Sequence, residues 1–176
     1  NYLVVSAHRE ENVDLKNHFE ILVESLNAVA EKHQMPIIFS THPRTRKRIE
    51  NSNVVFNPLI KNVSPLGFFD YVKLQKEAYV VLSDSGTISE EAAMMGFPAV
   101  SIRTSTERPE AIDAGTIVLG GVSKESMLNS IEITKGLSIT KDSQLPVEYT
   151  VANTSERIVR VIQSYTPIVN KVIWDK

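Results

Sequence analysis

The chain has 176 residues, 42% of them hydrophobic and 23% charged, a balance that supports one α/β domain with a substantial core and excludes a disordered chain. A formal net charge of −2 excludes the overall basic field that drives binding to nucleic acid or to a membrane surface. Cysteine is absent, so disulfides and thiolate chemistry are excluded, and a reducing, cytoplasmic setting is expected.

The chain opens without Met on the apolar run Tyr2-Leu3-Val4-Val5. A natural protein rarely starts inside its own core, so this chain is expected to be a piece of a longer one. The first strand is placed at 3–6. Leu15, Phe19, Leu22, Val23, Leu26 and Ala30 then recur at three- and four-residue spacing, the apolar stripe of a helix. Strands follow at 37–40 and 54–56. The segment 65–77 reads as a helix with Ser64 as N-cap and Pro65 at its first position. Further strands are expected at 79–82, 99–102 and 117–119. Ser123 caps a helix running to about residue 137, with Gly136 near its end, and 138–146 is polar and loop-like. Ile158, Val161, Ile162 and Tyr165 form the stripe of a last helix, which Thr166-Pro167 is expected to kink or restart. Short apolar runs alternating with amphipathic ones imply a doubly wound, Rossmann-like parallel sheet of about six strands in a single domain.

Ligands of open α/β sheets collect at the carboxyl ends of the strands. The fourth strand ends at Ser83-Asp84-Ser85-Gly86-Thr87, and a helix follows through Glu90, Glu91, Ala92 and Met95. Gly86 allows a tight turn and close approach to a ligand. The free N–H groups of the first helical turn suit a phosphate, to which the Ser85 and Thr87 hydroxyls add hydrogen bonds. A capping box of Thr87 with Glu90 is the structural alternative, but it leaves Glu91 unexplained. A carboxylate one turn into a phosphate-binding helix makes sense if it accepts the two hydroxyls of a ribose carried by that phosphate.

Other candidates share this rim. His8 and Arg9 follow the first strand in His8-Arg9-Glu10-Glu11-Asn12, where His8 either caps and packs or faces a diphosphate. His42 follows the second strand, and the basic residues after it, Arg44, Arg46, Lys47 and Arg48, read as a solvated helix face. Arg108 precedes Pro109 and Glu110 at the start of a helix; it either makes a weak surface bridge to Glu107 or Glu110 or holds an anionic group. Basic groups converging beside a helix N-terminus suggest pyrophosphate.

Three segments, His8-Arg9-Glu10-Glu11-Asn12, 83–91 and Thr106-Glu107-Arg108-Pro109-Glu110-Ala111 with Ala114-Gly115-Thr116, together resemble the non-hydrolysing UDP-N-acetylglucosamine 2-epimerases. The resemblance runs in order and spacing from His8 to about Gly121, and the final helices are also similar. It implies the C-terminal domain of a two-domain, glycosyltransferase-B type enzyme, with residues 152–176 packing toward the N-terminal domain and the full-length protein a homodimer. It implies that His8 and Arg108 lie near the diphosphate, that Ser85, Gly86 and Thr87 bind phosphate, and that Glu91 binds ribose. Uracil is expected near 58–65, and Arg9 and His42 would help hold a second, activating UDP-sugar. The implied reaction inverts C2 of a UDP-2-acetamido sugar by eliminating and re-adding UDP, with the C2 proton handled by carboxylates of the other domain. The product would serve capsule or O-antigen synthesis. No metal or nicotinamide is implied, and no spacing of His, Cys and Asp suggests one.

This sequence departs from the commoner family form at Glu10, Thr87 and Ser89, where that form has Arg, Gly and Gln. Thr87 with Ser89 looks more like the branch leading to UDP-N-acetyl-L-fucosamine. Arg44 in His42-Pro43-Arg44, where His-Pro-Asn is usual, puts the activator site in doubt. A hydrolysing epimerase, a retaining glycosyltransferase of the same fold and a non-catalytic UDP-sugar binding module are the competing readings.

Overall fold

Residues 1–136 and 145–175 are described by a computed structural model, so most of the segment 138–146, expected to be a loop, lies outside the described residues. Strand β1 (Leu3–Ser6) leads through the short helix α1 (Glu10–Val13) into α2 (Lys16–His33) and then β2 (Ile37–Ser40). Helix α3 (Pro43–Glu50), β3 (Ile60–Val63), α4 (Phe68–Glu77) and β4 (Val81–Ser83) follow. The rest of the first unit is α5 (Ile88–Met95), β5 (Ala99–Ser101), α6 (Pro109–Asp113), β6 (Val118–Leu119) and α7 (Lys124–Gly136). The six strands among the described residues are parallel, in the order β3-β2-β1-β4-β5-β6. This is a Rossmann-like α/β sheet, as the alternating pattern implied.

The central strands are buried on both faces. Leu3 and Val5 join Leu82, Val100, Ile37 and Phe39 in one cluster, which Phe19, Leu22 and Leu26 of α2 and Met127 and Ile131 of α7 complete. Val4, Val81 and Ala99 are equally buried but lie outside that cluster, as alternation along a strand requires. Each large apolar side chain fully buried in this way contributes roughly 1.5–3 kcal/mol. Gly96 ends α5 at φ 69°, a left-handed conformation that costs glycine little.

Three of the expected elements are placed differently. The third strand is 60–63, not 54–56. The backbone at 55–57 is engaged instead by Asn27 of α2, whose Nδ2 donates to the Val55 carbonyl at 2.8 Å while its Oδ1 accepts the Asn57 N–H at 2.7 Å. Val54 and Phe56 still pack on the core from this coil, which is why they imitate a strand. The true strand lies at the sheet edge, where Lys61 and Asn62 are exposed, so it carries no apolar run.

Helix α4 begins at Phe68 with Gly67 as N-cap, three residues later than expected, and Ser64 Oγ accepts from Arg46 Nη2 instead of capping. Leu15 stands outside α2 and is mostly exposed, so the buried stripe starts at Phe19. The Ser123 cap is realised, its Oγ accepting the Ser126 N–H at 3.3 Å.

The chain divides into two units, Asn1–Pro146 and Val147–Lys176. The second holds a 3₁₀ turn (Val147–Thr150) and α8 (Thr154–Ile173). Pro167 neither stops nor restarts α8, which runs through it. The helix has no buried residue, so the one carbonyl that loses its N–H partner can be solvated. Among the described residues no helix is long and apolar enough to cross a membrane.

Candidate functional site

The strand order reverses between β1 and β4, and that switch point opens the crevice in which such sheets take their ligands. The two strands end level, with Ser6 opposite Ser83. The turns leaving them, 7–9 and 84–87, therefore meet side by side.

Asp84 joins these turns. It is fully buried, and its carboxylate accepts the His8 N–H at 2.9 and 3.1 Å, the Arg9 N–H at 2.9 Å and Asn12 Nδ2 at 3.1 Å. His8 Nδ1 lies 3.2 Å from Asp84 Oδ1. The imidazole therefore stands against the carboxylate, which attracts it whenever the ring is charged. Asn12 Nδ2 also donates to the Ile102 carbonyl at 3.1 Å, which draws the end of β5 into the same network.

Arg9 lies across the second turn, its Nε donating to the Asp84 carbonyl at 3.0 Å. A Cβ on Gly86 would stand 3.3 Å from Arg9 Nη2. Gly86 does not have a positive φ, so an added methyl would ask only that the tip of the Arg9 side chain give by a few tenths of an ångström.

Thr87 is the N-cap of α5 but makes no side-chain capping bond, so the capping-box alternative is not realised. Its hydroxyl donates to Glu91 Oε1 at 2.6 Å and lies 3.0 Å from Ser85 Oγ. Glu91 Oε2 accepts from Gln75 Nε2 of α4 at 2.7 Å. Ser85, Thr87, Glu91 and Gln75 thus form one hydrogen-bonded row along the start of α5. Glu90 turns the other way, its Oε1 accepting from Arg108 Nε at 2.5 Å.

Arg108 stands at the end of a loop held by Arg103. The Arg103 side chain is only 5% exposed, and its guanidinium bonds Glu107 at 2.7 and 2.9 Å and Glu11 at 3.2 Å. A two-pronged guanidinium–carboxylate bond of this kind fixes direction as well as distance. The hydrogen bonds and charge of Arg103 lower the Glu107 carboxyl from 4.5 to about 2. Folding lowers this pKa, so what the pair contributes to stability is complete above pH 4.5 and is lost as pH falls toward about 2. An NMR titration is expected to show the Glu107 carboxylate still ionised through the ordinary carboxyl range, and Arg103→Met is expected to return its midpoint to that range.

His42 caps α3, its Nδ1 accepting the Arg44 N–H at 3.3 Å, and its ring centre lies 5.8 Å from that of His8. Arg44 pairs with Glu10 at 2.9 Å and Asp14 at 3.6 Å on the surface, as the solvated-face reading implies. Arg48 departs from it, resting its guanidinium 5.8 Å from the centre of the Phe19 ring. Between His8 and His42 opens a cleft of about 480 Å³, walled also by Ser6, Leu66, Phe68 and Tyr71. Burial, joined by the charges of Glu91 and Asp84, pushes the Tyr71 phenol up to about 12 against a hydrogen bond with Ser6 that lowers it.

The rim residues expected from the sequence thus fall into three linked groups: His42, His8, Arg9 and Gly86; Ser85, Thr87 and Glu91; and Arg108 on Glu90. Asp84, Gln75 and Arg103 were not singled out. Asp84 carried the same signal as Glu91, since a carboxylate inside a phosphate-binding turn needs other partners. Among the described residues no three His, Cys, Asp or Glu side chains are grouped to hold a metal.

The family model described as UDP-N-acetylglucosamine 2-epimerase matches residues 1–163. A UDP-N-acetylglucosamine 2-epimerase of Methanocaldococcus jannaschii is 34% identical over 166 residues, covering 92% of this chain and 44% of that protein. The structure of a UDP-N-acetylglucosamine 2-epimerase from Rickettsia bellii superposes with a TM-score of 0.79 at 36% identity, covering 99% of this chain and 47% of that one. A crystal structure of the M. jannaschii UDP-GlcNAc 2-epimerase in complex with UDP-GlcNAc and UDP gives a TM-score of 0.78 at 34% identity, over 93% of this chain and 45% of that one. The chain therefore spans less than half the length of the relatives it matches.

Proposed function

The chain belongs to the UDP-N-acetylglucosamine 2-epimerase family, and from that premise we propose that it is the UDP-holding domain of an enzyme that inverts C2 of a UDP-2-acetamido sugar. The observation that carries this reading is the pair of turns joined by Asp84 at the switch between β1 and β4, with the Ser85–Thr87–Glu91 row beside it. The first turn of α5 and the hydroxyls of Ser85 and Thr87 take a phosphate, and Gly86 leaves room for it. Glu91 accepts the ribose hydroxyls. Arg108 neutralises the diphosphate together with the helix dipole. His8, held beside Asp84, donates from Nε2 in its doubly protonated form to the oxygen that leaves C1.

The proposed reaction is elimination and re-addition. The C1–O bond breaks as the C2 proton departs; UDP then returns to C1 once a proton has been delivered to the opposite face of C2. This chain stabilises the departing UDP, and carboxylates of the remainder of the longer protein handle the C2 proton. The exposed apolar face of α8, with Ile158, Val161, Ile162 and Tyr165, docks that remainder, and the assembled protein pairs as a homodimer. Arg9 and His42 border a second UDP-sugar site. Thr87 and Ser89 favour a 6-deoxy sugar of the kind leading to UDP-N-acetyl-L-fucosamine, hence a cytoplasmic step in making capsule or O-antigen precursors.

By itself the chain is expected to bind UDP weakly and to turn nothing over. Calorimetric titration that gives no heat with UDP but saturates with another nucleotide would sink the assignment. Glu91→Ala is expected to weaken UDP by about tenfold or more while leaving pyrophosphate nearly unchanged, because each lost hydrogen bond to a charged group is worth roughly 1.5–3 kcal/mol. Equal losses for both ligands refute the ribose role.

A further inference from the structure

Gln75 sits in the last turn of α4 and is 1% exposed. A position buried so completely on an amphipathic helix ordinarily takes an apolar side chain, since burying an amide is favourable only if its groups are bonded. Here one half of the amide is used and the other is not. Nε2 donates to Glu91 Oε2 at 2.7 Å, whereas the buried Oε1 has no hydrogen-bond partner among the described residues. Turning the amide over would set its oxygen against a carboxylate, so chemistry fixes which atom faces Glu91. A side chain that leaves its own carbonyl unsatisfied is a poor choice for stability alone. What it provides is direction to Glu91.

Glu91 has one other partner in this row, the Thr87 hydroxyl. That hydroxyl has a single proton, which it can give to Glu91 or to a phosphate seated on the turn, but not to both. A ligand that takes the Thr87 proton therefore leaves Gln75 holding the carboxylate. Burial keeps the phenol of Tyr71, one helical turn before Gln75, protonated, so it adds no negative charge near Glu91.

We propose that Gln75 is a positioning residue for the ribose of the bound nucleotide, its amide holding the Glu91 carboxylate in the one orientation in which the remaining lone pairs meet both ribose hydroxyls. The inference rests on the ribose role proposed for Glu91 and adds a second element, α4, to the site.

The test is calorimetry on the 176-residue chain with UDP, with 2′,3′-dideoxy-UDP and with pyrophosphate. Gln75→Met keeps the volume and removes the donor. It is expected to weaken UDP by about three- to tenfold, the scale of freeing one side chain, and to leave dideoxy-UDP and pyrophosphate unchanged. Gln75→Glu places two carboxyls together; UDP affinity is expected to be low at about pH 8 and to recover at about pH 5.5, where a shared proton restores a donor, with no such recovery in the parent. This second arm decides the matter if the Met variant does not fold. Glu91→Ala separates the two ideas. If it discriminates between UDP and dideoxy-UDP while Gln75→Met does not, the positioning role is overturned and the ribose reading stands. If Glu91→Ala fails to discriminate, the ribose reading falls and the role of Gln75 falls with it.

Discussion

Asp84→Asn is expected to cost about 3 kcal/mol of folding stability and to abolish measurable UDP binding. The carboxylate is fully buried, accepts from two backbone N–H groups and the Asn12 amide, and stands 3.2 Å from the His8 ring. An amide of the same shape offers one accepting oxygen and turns an NH₂ toward donors that then have no partner. Each buried donor left in this way costs roughly 1–3 kcal/mol. The loss is large because the donors belong to both turns of the rim, so the variant loosens His8 and Arg9 from the phosphate turn at once. A domain with ordinary stability of about 5–15 kcal/mol survives it, which keeps binding readable. Denaturant midpoints and calorimetry measure the two effects. A variant that melts and binds like the parent shows that the joint between β1 and β4 does not organise the site.

Arg108→Ala is expected to weaken UDP and pyrophosphate together, by about 2–3 kcal/mol or some 30- to 150-fold. This is the opposite of the selective loss expected for Glu91→Ala, because Arg108 is assigned to the diphosphate and Glu91 to the sugar ring beyond it. Stability is expected to change little, since the ion pair with Glu90 is partly exposed and solvent discounts it. Arg108→Lys restores the charge without the planar fork and is expected to recover only part of the affinity. If Arg108→Ala lowers stability but leaves both affinities intact, Arg108 serves only to hold Glu90 and the loop.

The Arg103 clamp links these expectations. Arg108 is presented by a loop whose preceding residue, Glu107, is gripped by a buried guanidinium anchored also on Glu11 of α1. The β1 side of the rim and the Arg108 loop are therefore held by one side chain, and the β1 and β4 sides by another, Asp84.

Much of the site was legible in the residues alone. The strand-to-helix turn at 83–91 is a local object: an apolar run, a glycine between hydroxyls and a helix that begins at once are neighbours in the chain, and each needs only its own dihedrals and caps to form. The same holds for the stripe of α2, for the Ser123 cap and for Pro109 opening α6. The third strand was misplaced because an edge strand has no apolar run to betray it, whereas a coil clipped by Asn27 does. Asp84 was passed over because its partners lie 72–76 positions away, Arg103 because its anchor Glu11 lies 92 away although Glu107 is near, and Gln75 because its partner sits on another helix.

Period, turn chemistry and spacing act over a few residues, and they were enough to imply a parallel α/β sheet, the family and a list of polar residues at strand ends. Which of those residues meet is a matter of long-range packing. That choice follows from the strand order, which sets β1 beside β4 and so brings His8 and Arg9 onto Asp84. A buried polar group must find its partner across the sheet or not be buried at all, and no local rule says which strand will be its neighbour.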